Sequence, residues 1–234
     1  MKLYYDLHIH TALSPCADNN MTPNNIINMA ILKGLDIIAI TDHNSTANLP
    51  PFFEINPKGL KVMPGIEVQT REEAHMLCYF KNPRNAMRFG TIIESHLPDT
   101  DCSSIFGDQL IYDRYDNITG NFDKLLLNST DLSVTDVCKI AAETNGTVVP
   151  AHVDRPHYSL ISNLGFVPEN IHFTSAELAD IKNETSYRKY FGKNIKFIFS
   201  SDAHTLGNIN ERAAYIDVNF TNINEIFNGL FGAL

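Results

Sequence analysis

Residues 3–11 read Leu-Tyr-Tyr-Asp-Leu-His-Ile-His-Thr. The stretch from Leu3 to Ile9 is apolar and aromatic apart from Asp6 and His8, and predicts a strand. Side chains alternate along a strand, so the His8–Ile9–His10 spacing turns both imidazoles to one face. Further along, Thr22-Pro23 combines an N-cap residue with proline at the first helical position. A helix is expected from there to about Lys33, with Gly34 as its stop. Asp36 to Ile40 (Asp-Ile-Ile-Ala-Ile) is almost wholly apolar, as a buried parallel strand should be. This strand–helix–strand unit sets the class as α/β.

The rhythm continues downstream. Lys61 to Val68 and Ala74 to Phe80 predict two strands, followed by a helix near Asn85 to Ser95. Gln109 to Phe122, with Asp116-Asn117 and Thr119-Gly120, suits a hairpin, and a hairpin or lid insertion is expected over about 88–127. A capped helix runs from Ser133 to about Asn145, with Gly146 as its stop, and Thr147 to Pro150 forms the next strand. Asn194 to Phe199 is a further strand, and Ile223 to Leu234 a terminal helix. Repeated β-α units imply a parallel sheet with right-handed crossovers, open or closed into a barrel. Functional groups then belong at the C-terminal ends of the strands. No repeat or linker divides residues 1–234, so one domain is expected.

Hydrophobic residues make up 44% and charged residues 19%, an ordinary globular composition. A net charge of −9 disfavours a partner held by bulk electrostatics, so nucleic acid is not the expected partner. A small substrate held mainly by metals fits better, since bound cations reverse the local field. The four cysteines, Cys16, Cys78, Cys102 and Cys138, form no Cys-x-x-Cys pair and read as reduced thiols. Neither a signal peptide nor a membrane span is expected, which together with the thiols suggests a soluble cytoplasmic protein.

Ionisable groups recur where the strands end. His8 and His10 follow the first strand; Thr41-Asp42-His43-Asn44-Ser45 follows the second; Gly65-Ile66-Glu67 closes the third, and His75 opens the next. Pro150-Ala151-His152-Val153-Asp154-Arg155 and Ser201-Asp202-Ala203-His204 follow two later strands. Several imidazoles beside a carboxylate able to bridge suit zinc, iron or manganese, and such multinuclear centres activate water. Each element alone has a bland explanation, such as a satisfied core histidine or a capping turn. Their recurrence at six strand ends does not.

Four ordered motifs, Asp-Leu-His-Ile-His-Thr at 6–11, Thr-Asp-His-Asn-Ser at 41–45, Pro-Ala-His at 150–152 and Ser-Asp-Ala-His at 201–204, resemble the PHP (polymerase and histidinol phosphatase) superfamily of metal-dependent phosphoesterases. Glu67 and His75 fit between them. The resemblance implies a distorted (β/α)7 TIM-like barrel with two or three divalent ions at the strand C-termini. It implies His8, His10, Glu67 and Asp202 around a first ion, and Glu67, His75 and His152 around a second. A third would take His43, His204 and one residue from the loop after His10. There the chain departs from the pattern: counting from His8 gives Cys16, and counting back from Thr22-Pro23 gives Asp18. Asp18 is the expected ligand, because an oxygen donor suits zinc, iron and manganese alike.

Asp42 is expected to orient an imidazole through its ring N–H. Arg155 is a candidate phosphate clamp and His157 a second substrate contact, whereas His96 and His172 lie outside any motif. The implied reaction is hydrolysis of a small phosphomonoester by a metal-bridging hydroxide, with one of the metals, or His204 or His43, assisting the leaving group. Three alternatives compete: a phosphodiesterase or 3′–5′ exonuclease, an amidohydrolase-type carbon–nitrogen hydrolase, and a fold that has lost catalysis. Amidohydrolase sites commonly bridge their metals with lysine, where this chain has Glu67. The stretch 88–127 is acidic (Asp99, Asp101, Asp108, Asp113, Asp116), an odd composition for a lid over phosphate. Sequence leaves the oligomeric state open.

Overall fold

The computed structural model describes residues 1–100, 107–219 and 222–232; Asp101 and Cys102 lie outside them. In chain order the elements are β1 (Lys2–Ile9), α1 (Pro23–Leu32), β2 (Ile37–Ile40), α2 (Leu49–Ile55), β3 (Lys61–Gln69), β4 (His75–Phe80) and α3 (Pro83–Ser95). There follow β5 (Leu110–Tyr112), β6 (Ile118–Asn121), α4 (Val134–Glu143), β7 (Gly146–Pro150), α5 (Leu160–Leu164) and β8 (Ser175–Leu178). The last are α6 (Glu184–Phe191), β9 (Lys196–Phe199), β10 (Tyr215–Asp217) and α7 (Ile223–Phe231).

Six strands form one sheet in the order β10-β1-β2-β3-β4-β7, and β8 pairs with β9. The sheet curls into a half-barrel. Val153 N–H donates to the Glu177 carbonyl at 2.9 Å, tying the end of β7 to β8. Ala203 N–H donates to His8 O and His10 N–H to Ala203 O, each at 3.0 Å, tying the segment after β9 back to β1. The two margins of the curl therefore meet beside the histidines of β1.

The expected all-parallel sheet is corrected at three places. β1–β2, β2–β3 and β8–β9 are parallel, but β3–β4, β4–β7 and β1–β10 are antiparallel. The reason at β4 is chain length: only residues 70–74 separate it from β3, and a parallel crossover needs about a dozen residues. Gly146 is corrected as well. Asn145 takes the left-handed conformation (φ 58) after α4, and Gly146 opens β7. A Cβ on Gly146 would lie 2.4 Å from Phe80 Cε1, so close packing on that ring is what requires glycine.

Both faces of the sheet are buried, which explains why β2 is apolar throughout. Leu7, Ile37, Ala39, Leu77 and Tyr79 pack with Phe227 and Phe231 of α7 on one face. Ile9, Ile38, Ile40, Ile66 and Phe80 pack against α1–α4 on the other. Leu7 and Ile9 take opposite faces because the β1–β2 register shifts between Asp6 and Ile9. Such irregularities re-aim side chains next to functional sites. The expected hairpin at Gln109–Phe122 forms as β5–β6. The acidic residues of the 88–127 stretch serve neighbouring loops: Asp116 accepts from the Thr22 hydroxyl at 2.7 Å, Asp108 from Asn19 at 2.9 Å, and Asp99 pairs with Lys124 at 3.0 Å.

Candidate metal centre

The curl collects its ionisable groups at one rim. β1 ends in His8 and His10, and His43 follows β2 and bridges to Glu67 of β3. Because β4 is antiparallel, its first residue His75 sits opposite Gln69 and arrives at the same rim. His152 follows β7, and Asp202 and His204 follow β9. His152 (φ 26) and Asp202 (φ 52) hold left-handed backbone, a conformation side chains adopt at a cost of about 1–3 kcal/mol and one that clusters at functional sites.

His8, His10, Glu67 and Asp202 converge. The Nε2 atoms of His8 and His10 are 3.1 Å apart, and each lies 3.3 Å from a Glu67 oxygen. Asp202 Oδ1 stands 3.2 Å from His8 Nε2 and 3.1 Å from His10 Nε2. Glu67 also meets His75 Nδ1 at 3.0 Å, His43 Nδ1 at 3.0 Å and His152 Nε2 at 3.3 Å. Potential ligand atoms fall into three overlapping groups, each within 4.8 Å: His8, His10, Glu67 and Asp202; His43, Glu67 and His75; His10, His43 and His204.

The surrounding bonds fit a metal. The Nδ1–H of His8 donates to Glu177 Oε2 at 2.9 Å, and that of His10 to the Ser14 hydroxyl at 2.9 Å. Ser14 in turn donates to Asp42 Oδ1 at 2.8 Å. Both rings are thereby turned so that their Nε2 atoms face one another across the carboxylates. Once deprotonated, two such nitrogens 3.1 Å apart offer lone pairs to a shared cation. Glu67 Oε2, Asp202 Oδ1 and His43 Nδ1 are buried with only one another and neighbouring ring nitrogens in reach and no well-aligned hydrogen bond, a costly arrangement that coordination relieves.

Electrostatics bear the same mark. Burial opposes ionisation of Glu67, yet His75, His8 and His43 outweigh it and hold the carboxyl well below its ordinary range. Burial likewise opposes charge on His10, but its bonds to Asp202 and Glu67 lift it to about 9. His43 is also lifted to about 9, against burial, chiefly by Glu67. Burial lowers His75 to about 4 and His204 to about 3, leaving both as neutral lone-pair donors.

The other expected residues divide. Arg155 pairs with Asp202 Oδ2 and, with His157, lines a cavity of ≈ 480 Å³ over the donors. Cys16 lines this cavity too. Asp18 is exposed, its carboxylate accepting from Asn20 N–H at 2.8 Å, and it is in none of the three ligand groups. Asp42 touches no imidazole directly; it accepts from Thr11 and Ser14 and acts on His10 through Ser14. His96 pairs with Asp131 at 2.7 Å, and His172 is exposed.

Two carboxylates escaped the sequence reading. Glu177, 1% exposed, accepts from His8 and from His152 N–H at 3.0 Å. Its signal was Ser-Ala-Glu-Leu at 175–178, the short strand β8 with an acid beside apolar residues. Asp6, fully buried, accepts from Ser201 N–H at 3.0 Å, the Ser201 hydroxyl at 2.6 Å and Asn210 N–H at 2.8 Å. It thereby fixes the loop that carries Asp202 and His204.

Comparison with known proteins places this geometry. A PHP domain family model matches residues 6–205. Over 74 residues the chain is 39% identical to the 5′-3′ exoribonuclease Rnm of Salmonella typhimurium, a match covering 30% of this chain and 24% of Rnm. The chain thus spans about a quarter of the length of the curated relatives it matches. The lesion-specific endonuclease PfuEndoQ of Pyrococcus furiosus superposes over 100% of this chain and 57% of its own, with TM-score 0.66 and 20% identity. Endonuclease Q in complex with a 27-mer duplex carrying an abasic lesion superposes over 98% of this chain and 56% of its own, with TM-score 0.66 and 18% identity.

These relatives overturn the expectation, drawn from a net charge of −9, that nucleic acid is an improbable partner. Bulk charge misleads because the field that meets a phosphate is local and is reversed wherever cations bind. No helix among the described residues is long and apolar enough to cross a membrane. With residues 6–205 matched and the histidine–carboxylate cluster assembled at one rim, the chain belongs to the PHP domain family of metal-dependent hydrolases.

Proposed function

We propose that this protein hydrolyses the phosphate ester of a terminal nucleotide, either free or at the end of a nucleic-acid strand, using two or three divalent ions. The observation that carries this reading is the buried His8–His10–Glu67–Asp202 cluster at the floor of a ≈ 480 Å³ cavity with Arg155 at its side. That volume suits a nucleotide-sized group rather than the middle of a duplex. The small phosphomonoester expected from sequence is thereby kept in the form of a mononucleotide. Zinc, iron or manganese ions bound there would supply Lewis acidity and an activated water.

The chain's own residues do the rest. Glu67 stays ionised and lies between the donor groups, where a bridging carboxylate is needed. Arg155, its side chain 41% exposed and paired to Asp202 on one side, has further N–H groups with no partner among the described residues, able to donate to a phosphoryl oxygen. Ser14, Asp42 and Glu177 keep His8 and His10 facing inward, and Asp6 holds the Asp202 loop. His157 stands at the rim beside Arg155 as a second polar contact.

The test combines elemental analysis with a substrate panel: a mononucleotide, 5′- and 3′-phosphorylated oligonucleotides, a sugar phosphate and histidinol phosphate. Two or more ions per chain with release of phosphate or mononucleotide from the nucleotide substrates is expected. Fewer than two ions and no turnover of any of them overturns the proposal.

A further inference from the structure

Among the described residues Tyr158 is the one large aromatic side chain bordering the cavity, and neither the metal cluster nor the phosphate contacts account for it. It is 49% exposed, yet its position is closely fixed. Its backbone is left-handed (φ 55), where a tyrosine is held only if its surroundings insist. They do: the Tyr158 carbonyl accepts from His75 N–H at 2.9 Å. The next residue, Ser159, caps α5 and donates to the Arg155 carbonyl at 3.0 Å. One face of the Tyr158 ring stacks on His75, with centroids 5.1 Å apart and planes at 21°. Its hydroxyl makes no hydrogen bond among the described residues. A rigid ring, backed on one side and exposed on the other, borders the same cavity as Arg155 and His157.

The geometry points to Tyr158 as a stacking platform for the base of the nucleotide whose phosphate is cleaved, an inference that rests on the nucleotide reading above. His75 links the two ends of such a substrate. Its Nδ1 is 3.0 Å from Glu67 at the donor cluster, while its ring supports Tyr158. Phosphate on the donors and base on Tyr158 therefore belong to one nucleotide unit. Every base has a π-face, so this platform selects for the presence of a base and is tolerant of which one. Held by backbone bonds, the ring loses little freedom when the base arrives.

The test uses the metal-loaded protein and pairs of probes that differ in the base: AMP against ribose 5-phosphate, and an oligonucleotide ending in 2-aminopurine against one with an abasic terminal residue. Two readouts are taken: the ratio of kcat/KM within each pair, and quenching of 2-aminopurine on binding. Tyr158→Ala is expected to reduce the ratio roughly five- to 150-fold, the range of one base–aromatic stack, and to abolish quenching. Tyr158→Phe should retain both. Tyr158→Leu, which still covers His75, should behave as Tyr158→Ala and guards against loss of fold. An unchanged ratio and quenching in Tyr158→Ala or Tyr158→Leu overturns the inference. If the wild-type protein cleaves no nucleotide, the proposed function fails while quenching still decides the stacking role.

Discussion

Replacing Glu177 by glutamine tests the idea that this carboxylate turns His8 toward the metals. Glu177 accepts from His8 Nδ1–H at 2.9 Å and from His152 N–H at 3.0 Å, and is 1% exposed. A hydrogen bond to a charged group contributes about 1.5–3 kcal/mol, against about 0.5–1.5 for a neutral pair. The loss of charge therefore costs about 1 kcal/mol. Both donors meet Oε2, which glutamine can keep as its carbonyl oxygen; its NH2 then replaces Oε1, 3.2 Å from His8 Nδ1, and sets one N–H against another. That leaves a buried donor unmet, at a further cost of about 1–3 kcal/mol. The cost falls on the metal-bound state, where coordination fixes the ring, whereas in the metal-free protein the imidazole can turn. The total of about 2–4 kcal/mol, at about 1.4 kcal/mol per decade, lowers metal affinity roughly 30- to 700-fold. Competition with a chromophoric chelator measures this, with circular dichroism to show that the fold persists. An affinity within threefold of wild type, in a folded variant, would refute the orienting role.

His8→Ala and Asp202→Ala should each abolish turnover with the fold largely intact, and retained activity in either would sink the metal assignment. Metal uptake should release protons. His10 and His43, both lifted to about 9, carry protons at pH 7.5 in the metal-free protein and must lose them to coordinate. Calorimetric enthalpies that do not vary with the ionisation heat of the buffer would contradict this. The same two groups set a pH trend in the metal-free protein. Their folded pKa exceeds the ordinary 6.5, so their stabilisation is complete below 6.5 and is lost as pH rises through about 9. Thermal melts in chelator should therefore fall across that window. Gly146→Ala, whose Cβ would meet Phe80 at 2.4 Å, should destabilise by about 1–3 kcal/mol, read as a lower denaturation midpoint with activity unchanged per folded molecule.

Much of the scaffold was legible because local signals and tertiary needs agree there. Thr22 caps α1 through Asn25 N–H, Ser133 caps α4, and the apolar β2 is buried on both faces. The antiparallel β4 was missed because its alternation looks like that of any strand; the five-residue gap before it held the information. Two parts of the centre's support were hidden for different reasons. Glu177 sits on a four-residue strand between polar loops, too short for periodicity to register. Asp42 was expected to meet a ring directly, but sequence cannot show that Ser14 stands between them. The proline pair at 50–51 concealed α2, which tolerates it because both residues fall in the first turn. Net charge misjudged the partner because it averages over a surface on which one cavity matters.

The return of Ala203 to β1 has a consequence for biosynthesis. His8 and His10 leave the ribosome nearly two hundred residues before Asp202 and His204. Until the later segment closes against β1, the emerging chain holds imidazoles with only part of their carboxylate complement. The donor set is thus completed by one of the longest-range contacts in the fold, and loop closure of that span is a late event. A metal site of this composition is accordingly complete only once the chain has folded.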